Sequence, residues 1–172
     1  MQPPLYDPES VRPMWEELVK VGFESLETPT EVEDRITRTE GTTLLLINSV
    51  CGCSAGGARP GVSASLQHET IPSRMITVFA GVFRDAVDKA RELMPQVPPS
   101  SPFIALFKGG ELIYCLQRSQ IETMDAKGIA QSLTGAYDEF CSDKGPSIPS
   151  EEFEKIISHQ QCGSTIPLYR QD

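Results

Sequence analysis

The stretch that decides the fold reads Thr42-Thr43-Leu44-Leu45-Leu46-Ile47-Asn48-Ser49-Val50-Cys51-Gly52-Cys53-Ser54-Ala55-Gly56-Gly57-Ala58-Arg59-Pro60. Its first half is β-friendly, almost continuously apolar and too short for a typical helix, which predicts a central strand covered on both faces. The small residues that follow predict a helix, in which Pro60 introduces a kink. The sequence therefore places Cys51 and Cys53 at a strand-to-helix turn.

Further elements follow from hydrophobic periodicity and turn residues. Apolar spacing predicts helices over 11–21, 84–94 and 125–140, a strand over 75–80, and a hairpin of strands 103–108 and 111–116. The two strands of the hairpin are joined by Gly109-Gly110, a residue pair typical of tight hairpin turns. A short helix is predicted to begin after Thr30 as its N-cap.

The order β-α-β-α-β-β-α, with a two-cysteine turn after the first strand, is the thioredoxin arrangement. We therefore predict an α/β fold with a thioredoxin-like mixed sheet, helices on both faces, extra N-terminal helices and a C-terminal extension. The predicted division is a thioredoxin-like domain over 1–142 and an extension over 143–172. Pro102 precedes the hairpin, where such a fold places a cis-proline facing its cysteines, so we expect a cis Ser101–Pro102 bond.

Composition excludes several functional classes. The chain has 172 residues, a formal net charge of −9 and a pI near 4.7, which argues against a nucleic-acid partner. The first residues lack the basic and apolar regions of a secretory leader, and the longest apolar run, Leu44–Ile47, is too short to cross a bilayer. We expect a cytoplasmic protein without a membrane partner.

A cytoplasmic location is a reducing compartment, and this affects how the cysteines are interpreted. An odd count favours catalytic, metal-binding or buried thiols over a disulfide framework. Cys115 lies within a strand pattern and is predicted to be an ordinary core thiol. The five cysteines are Cys51, Cys53, Cys115, Cys141 and Cys162.

The Cys51/Cys53 pair has the properties of a redox site. A helix N-terminus stabilises a thiolate, which is the reactive form of cysteine. A Cys-x-Cys disulfide closes a tight ring that is easily reduced, which suits exchange and isomerisation, and Gly52 tolerates the dihedral angles that such a ring demands. Arg59 either turns toward the sulfurs or lies on a solvated helix face.

Two alternatives compete with the redox interpretation. The pair can be two buried small hydrophobes, or part of a metal site. Cys-x-Cys is not the usual zinc spacing, and only His68 and His159 are available as imidazole ligands. We therefore expect neither a metal nor an organic cofactor.

Several blocks of the chain closely resemble the bacilliredoxins, in order from about Val11 to Cys141. They are Asn48-Ser49-Val50-Cys51-Gly52-Cys53, Ala55-Gly56, Ala58-Arg59-Pro60, Thr77-Val78-Phe79-Ala80-Gly81, Pro99-Ser100-Ser101-Pro102 and Lys108-Gly109. Members of that family have a thioredoxin-like fold and remove bacillithiol from S-bacillithiolated proteins, and some are described as thiol-disulfide isomerases.

The resemblance implies that Cys51 is the attacking thiol and Cys53 the resolving thiol. It implies bacillithiol as co-substrate, and S-thiolated cytosolic proteins and a low-molecular-weight thiol as partners. A general protein disulfide isomerase or reductase remains an alternative, as does a thioredoxin-fold redox-sensing or metal-binding module.

The resemblance does not cover residues after Cys141. Ser150-Glu151-Glu152-Phe153 predicts a short capped helix. The segment is interpreted as a surface or dimer-contact extension, or as the carrier of an additional redox thiol, Cys162.

Overall fold

The computed structural model describes residues 1–156 and 168–169. The helices there are α1 (Pro8–Val19), α2 (Pro29–Ile36), α3 (Arg59–Ser65), α4 (Arg84–Glu92), α5 (Arg118–Ile121), α6 (Ala126–Phe140) and α7 (Ser150–Phe153). The strands are β1 (Glu24–Ser25), β2 (Thr42–Asn48), β3 (Thr70–Ile71), β4 (Arg74–Phe79), β5 (Phe103–Lys108), β6 (Glu111–Leu116) and β7 (Asp143–Lys144). No helix among the described residues is long and apolar enough to span a membrane.

A mixed sheet with the strand order β1-β4-β2-β5-β6 forms the centre of the molecule. β2 runs parallel to β4 and antiparallel to β5, and every residue of β2 is buried, as its apolar sequence predicts. Leu44 and Leu46 pack on the face covered by α3 and α6, whereas Leu45 and Ile47 pack on the face covered by α2 and α4. This is the predicted thioredoxin-like sheet with helices on both faces.

The hairpin of β5 and β6 turns at Gly109 and Gly110, as predicted. Their φ angles of 59° and 82° lie in the left-handed region that two-residue hairpin turns require. Ile104 pairs with Leu116. The residues that follow Leu116 therefore lie beside those that precede Phe103, and this juxtaposition builds one wall of the site.

Two details predicted for α2 and α3 are wrong. The N-cap of α2 is Thr28 and not Thr30: Thr28 Oγ1 accepts from the backbone N–H of Glu31 at 3.3 Å, and Glu31 Oε2 accepts from that of Thr28 at 3.0 Å. This reciprocal pair places Pro29 in the first turn, which tolerates proline. The irregularity before α3 is a π-helical turn at Ser54–Ala58, and Pro60 lies in the first turn of α3 rather than at a kink.

The chain after residue 142 packs on the domain. β7 pairs antiparallel with β3, and Ile148, Phe153 and Ile156 contact the core cluster beneath α3 and α6. Helix α7 forms where predicted, but without the predicted side-chain cap. Farther on, Leu168 forms a β-bridge with Tyr6. Cys162 lies outside the described residues, and the division at 142/143 stays a prediction.

Helix α3 packs closely on α6 at Gly61. A Cβ atom there would lie 2.6 Å from Ile129 Cγ2 and 3.2 Å from the carbonyl oxygen of Ala126. We therefore expect Gly61→Ala to lower the free energy of unfolding by about 1–3 kcal/mol through overpacking.

The matched control is Gly135→Ala in α6, where a Cβ would meet nothing within 4 Å. That change is expected to stabilise the protein by about 0.5–1 kcal/mol. Urea denaturation checks both values, and equal effects at the two positions would contradict the packing described here.

Candidate active site

The two cysteines lie where β2 gives way to the helical segment. The backbone N–H groups of Ser54 and Ala55 donate to the carbonyl oxygen of Cys51 at 3.0 and 3.2 Å, which begins the first helical turn. Both cysteines are free and half-buried. The structure thus confirms the predicted strand-to-helix turn and presents the pair in its reduced form.

Cys51 faces an open groove and has a polar neighbour. The hydroxyl of Ser49 donates to Cys51 Sγ at 3.2 Å, and the backbone N–H of Cys51 lies 3.4 Å from Ser49 Oγ. The sulfur that lines the groove therefore has a hydrogen-bond donor beside it. The groove has a volume of about 240 Å³. Its lining consists of Leu5, Tyr6, Ser49, Val50, Cys51, Ala80, Gly81, Ser101 and Arg118.

Cys53 lies on the other side of the turn, packed against the core cluster beneath α3 and α6. Burial raises the pKa of the Cys53 thiol, and the charge of Cys51 and a hydrogen bond with it raise that pKa further. Cys51 thus lines the groove, whereas Cys53 packs on the core and ionises less readily than an ordinary cysteine. This asymmetry suits an attacking Cys51 and a Cys53 that acts afterward.

Gly52 separates the two thiols without any conformational need for glycine in this reduced form. Its φ is not in the left-handed region, and a Cβ there would meet nothing within 4 Å. The prediction that a closed disulfide ring requires glycine stays a prediction.

Arg59 is fully buried, which corrects the alternative of a solvated helix face. Its Nε donates to Glu17 Oε1 of α1 at 2.9 Å, and its Nη1 donates to the carbonyl oxygen of Ser49 at 2.8 Å. Burial lowers the pKa of Arg59, while the charge of Glu17, its hydrogen bond and the charge of Cys51 act in the opposite direction. Arg59 stays protonated, because an arginine with a paired carboxylate does not release its proton in proteins.

Asn48, the last residue of β2, joins this network and was missed by the sequence analysis as a site residue. Its Oδ1 accepts from the backbone N–H of Ser49 at 2.9 Å, from Ser54 Oγ at 2.9 Å and from Arg59 Nη1 at 3.2 Å. Its Nδ2 donates to the carbonyl oxygen of Met14 at 3.0 Å. The backbone before and after Cys51 is therefore held by buried hydrogen bonds.

The opposite wall of the groove carries the predicted cis-proline region. The Ser101–Pro102 bond is cis, as expected. Arg118 Nη1 donates to the carbonyl oxygen of Ser101 at 3.1 Å, and its Nε donates to Glu122 Oε1 at 2.7 Å. The hydrogen bond with Glu122 and the charges of Cys51, Cys53 and Glu122 raise the pKa of Arg118.

Other chemistry-bearing groups are separate from the site. Cys115 packs against the cluster under α2 and α4, and burial raises its pKa, as fits a structural thiol. His68 Nε2 lies 2.7 Å from Asp138 Oδ1 on the exposed surface. Within the part of the chain that the structure describes, no group of three or more His, Cys, Asp or Glu side chains is placed to hold a metal ion.

The chain is similar in sequence to several known proteins. A family model described as disulphide isomerase matches residues 6–141. The bacilliredoxin of Halalkalibacterium halodurans is 47% identical over 136 residues, which cover 79% of this chain and 94% of that protein. The bacilliredoxin of Cytophaga hutchinsonii is 49% identical over 135 residues, which cover 78% of this chain and 99% of that protein.

This chain belongs to the bacilliredoxin family. It is a disulfide oxidoreductase with a thioredoxin-like fold, and the predicted family is confirmed. A bacilliredoxin of Salinibacter ruber is 42% identical over 160 residues, 92% of this chain and 93% of that protein. A match of that length extends past residue 142, so that relative shares part of the C-terminal extension.

Two solved structures have a more distant similarity of shape to this bacilliredoxin. A putative oxidoreductase with a thioredoxin fold aligns with a TM-score of 0.48 at 18% identity, over 64% of this chain and 93% of its own. Oxidised thioredoxin O2 from Arabidopsis thaliana aligns with a TM-score of 0.47 at 13% identity, over 69% of this chain and 96% of its own.

Sequence reasoning on the bacilliredoxin site missed Arg118. A signal was available, because the predicted hairpin pairs the end of one strand with the beginning of the other. Any residue just after Leu116 therefore had to lie near Ser101 and Pro102, which the same reasoning placed opposite the cysteines. The N-terminal residues Leu5 and Tyr6 had no comparable signal, since only the folded chain brings them to Gly81.

The raised pKa of Cys53 leads to a test of the asymmetry. A thiol with a raised pKa holds less thiolate at a given pH, so Cys53 is expected to be alkylated at higher pH than an ordinary cysteine, whose pKa is about 8.5. In Cys51→Ser the labelling curve of Cys53 should shift to lower pH, because the charge of Cys51 is gone. It should still lie above the ordinary value, because burial, the largest cause, remains.

Iodoacetamide labelling across a pH series, read by peptide mass spectrometry, measures both curves. An unchanged Cys53 curve in Cys51→Ser would show that the two thiols are not coupled.

Proposed function

We propose that this bacilliredoxin removes bacillithiol from S-bacillithiolated proteins by thiol-disulfide exchange, with Cys51 as the attacking thiol and Cys53 as the resolving thiol. The observation that carries the proposal is the asymmetry of the pair. Cys51 lines the groove and accepts a hydrogen bond from Ser49 Oγ, while Cys53 packs against the core and has a raised pKa.

The first step transfers the small thiol. The Cys51 thiolate attacks the bacillithiol sulfur of the mixed disulfide, and the bond from that sulfur to the protein's cysteine breaks. The released cysteine leaves as a thiolate and takes a proton from solvent. Cys51 now carries bacillithiol in a new disulfide, with no net change in oxidation state.

The second step resolves the enzyme. Cys53 loses its proton and attacks Cys51 Sγ, which releases bacillithiol as a thiolate and forms a Cys51–Cys53 disulfide. Two thiol groups of a reductant then return the pair to its reduced form and are themselves oxidised to a disulfide. Gly52, Arg59 and Pro102 support the two thiols in this proposal, and neither a metal nor an organic cofactor takes part.

The proposed partners are S-thiolated proteins and a low-molecular-weight thiol in the cytoplasm, without nucleic acid or membrane. Cys162 is proposed only as an additional redox thiol outside the two-cysteine exchange. Both steps above are complete without it.

A general disulfide isomerase is the second candidate function. The matching family model is described as disulphide isomerase, and isomerisation would use the same Cys51 thiolate. Two observations would favour removal of bacillithiol over isomerisation. One is that the source cell produces bacillithiol, and the other is that the protein releases bacillithiol faster than it reshuffles a scrambled protein disulfide.

The order of the two thiols leads to a direct test. Cys51→Ser is expected to abolish removal of bacillithiol from a modified protein, because no accessible attacking sulfur remains. Cys53→Ser is expected to complete one transfer and to stop with bacillithiol disulfide-bonded to Cys51. Intact-mass and peptide mass spectrometry locate the adduct.

Cys115→Ser is the control, since Cys115 packs on the other face of the sheet; its activity should match that of the wild type. An adduct trapped on Cys53 would reverse the assignment, and full activity of Cys51→Ser would refute it.

A further inference from the structure

Arg118 is the one permanently charged side chain among the residues that line the groove of Cys51. The remaining lining residues are apolar or neutral, apart from the thiol itself. The other arginine near the turn, Arg59, is fully buried and paired with Glu17, so its guanidinium is not accessible to a ligand. A positive charge at the mouth of the groove therefore comes from Arg118.

The guanidinium of Arg118 is held on two of its nitrogens. Glu122 Oε1 accepts from Nε, and the carbonyl oxygen of Ser101 accepts from Nη1. Among the described residues, Nη2 has no hydrogen-bond partner, and 45% of the side chain is exposed. A guanidinium oriented in advance, with both N–H donors of Nη2 and one of Nη1 left over, is suited to bind a carboxylate.

The negative charge of the whole chain makes a local cation important for the approach of an anion. At a formal charge of −9 the protein repels small anions on average. An acidic small thiol therefore approaches Cys51 more readily where a local cation offsets that repulsion.

We propose that Arg118 binds a carboxylate of the low-molecular-weight thiol while Cys51 takes up the sulfur of that thiol. The inference rests on the proposed function and specifies its co-substrate as an acidic thiol. Arg118 forms no covalent bond and exchanges no proton; the bonds made and broken are those of the first exchange step. The neighbouring Glu122 holds Nε and lowers the net positive charge at the subsite.

Two small disulfides serve as probes. One is 3,3′-dithiodipropionate, which carries two carboxylates, and the other is bis(2-hydroxyethyl) disulfide, which is neutral. Each reaction is run in a Cys53→Ser background, where attack by Cys51 releases one small thiolate and stops at a mixed disulfide that intact mass reports. The intrinsic reactivity of each disulfide cancels when two variants are compared on the same probe.

Arg118→Gln is expected to slow uptake from the acidic disulfide by about fivefold more than uptake from the neutral one, since an exposed charge pair of this kind is lost. Glu122→Gln keeps a hydrogen-bond acceptor for Nε but removes a negative charge, so it should raise the rate with the acidic disulfide. Equal losses of rate with both probes in Arg118→Gln would overturn the inference, because Arg118 would then act on the sulfur of Cys51 and not on the carboxylate of the probe.

The matched control is Arg38→Gln. Arg38 forms the same i,i+4 type of surface ion pair, with Asp34, and precedes β2 at the end opposite to Cys51. It changes the net charge equally and should leave the ratio of the two rates unchanged. Failure of the proposed function would appear in a separate measurement. The wild-type enzyme would then not remove bacillithiol from a modified protein, whatever the ratio of rates for the two probes.

Discussion

The buried ion pair between Arg59 and Glu17 is the interaction on which the active-site turn depends. Arg59 has no exposed surface, yet it joins α1 through Glu17, the last residue of β2 through Asn48, and the turn that follows through the carbonyl oxygen of Ser49. A buried pair of this kind is not strongly stabilising by itself, but removing one partner leaves a costly buried charge. Its contribution here is to hold one geometry of the backbone around Cys51.

The division of labour between the two thiols follows from that geometry. Because the buried hydrogen bonds of Arg59 fix the turn, Cys51 lines the groove while Cys53 faces the apolar core. One thiol is therefore placed to meet a substrate, while burial raises the pKa of the other. The hairpin of β5 and β6 brings Ser101 and Arg118 to the far wall, so the groove of Cys51 contains both a hydroxyl donor and a cation.

Local sequence patterns predicted the elements that depend on local physics. The apolar run of β2, the Gly109-Gly110 turn and the cysteines at a strand end are all confirmed, because each depends on nearby residues. The burial of Arg59 was beyond such reasoning, since only the packing of α1 supplies Glu17 as a partner from far along the chain. The capping error at α2 had a local cause: Thr28 and Thr30 both resemble caps, and the position of Glu31 decides between them. The role of residues 143–172 needs contacts that the sequence does not display.

The claim that the buried pair holds the Cys51 turn is tested most directly by a double-mutant cycle of Glu17→Leu and Arg59→Leu. Two quantities are measured, the free energy of unfolding and the rate of Cys51 alkylation at neutral pH. Each single change is predicted to lower the free energy of unfolding by about 3–5 kcal/mol and to alter the alkylation rate. The double variant should lose about 2 kcal/mol less than the sum of the two single losses. Glu17→Gln supplies a milder variant in which a hydrogen-bond acceptor for Arg59 Nε remains. Additive losses in stability, together with an unchanged rate of Cys51 alkylation in every variant, would contradict the account.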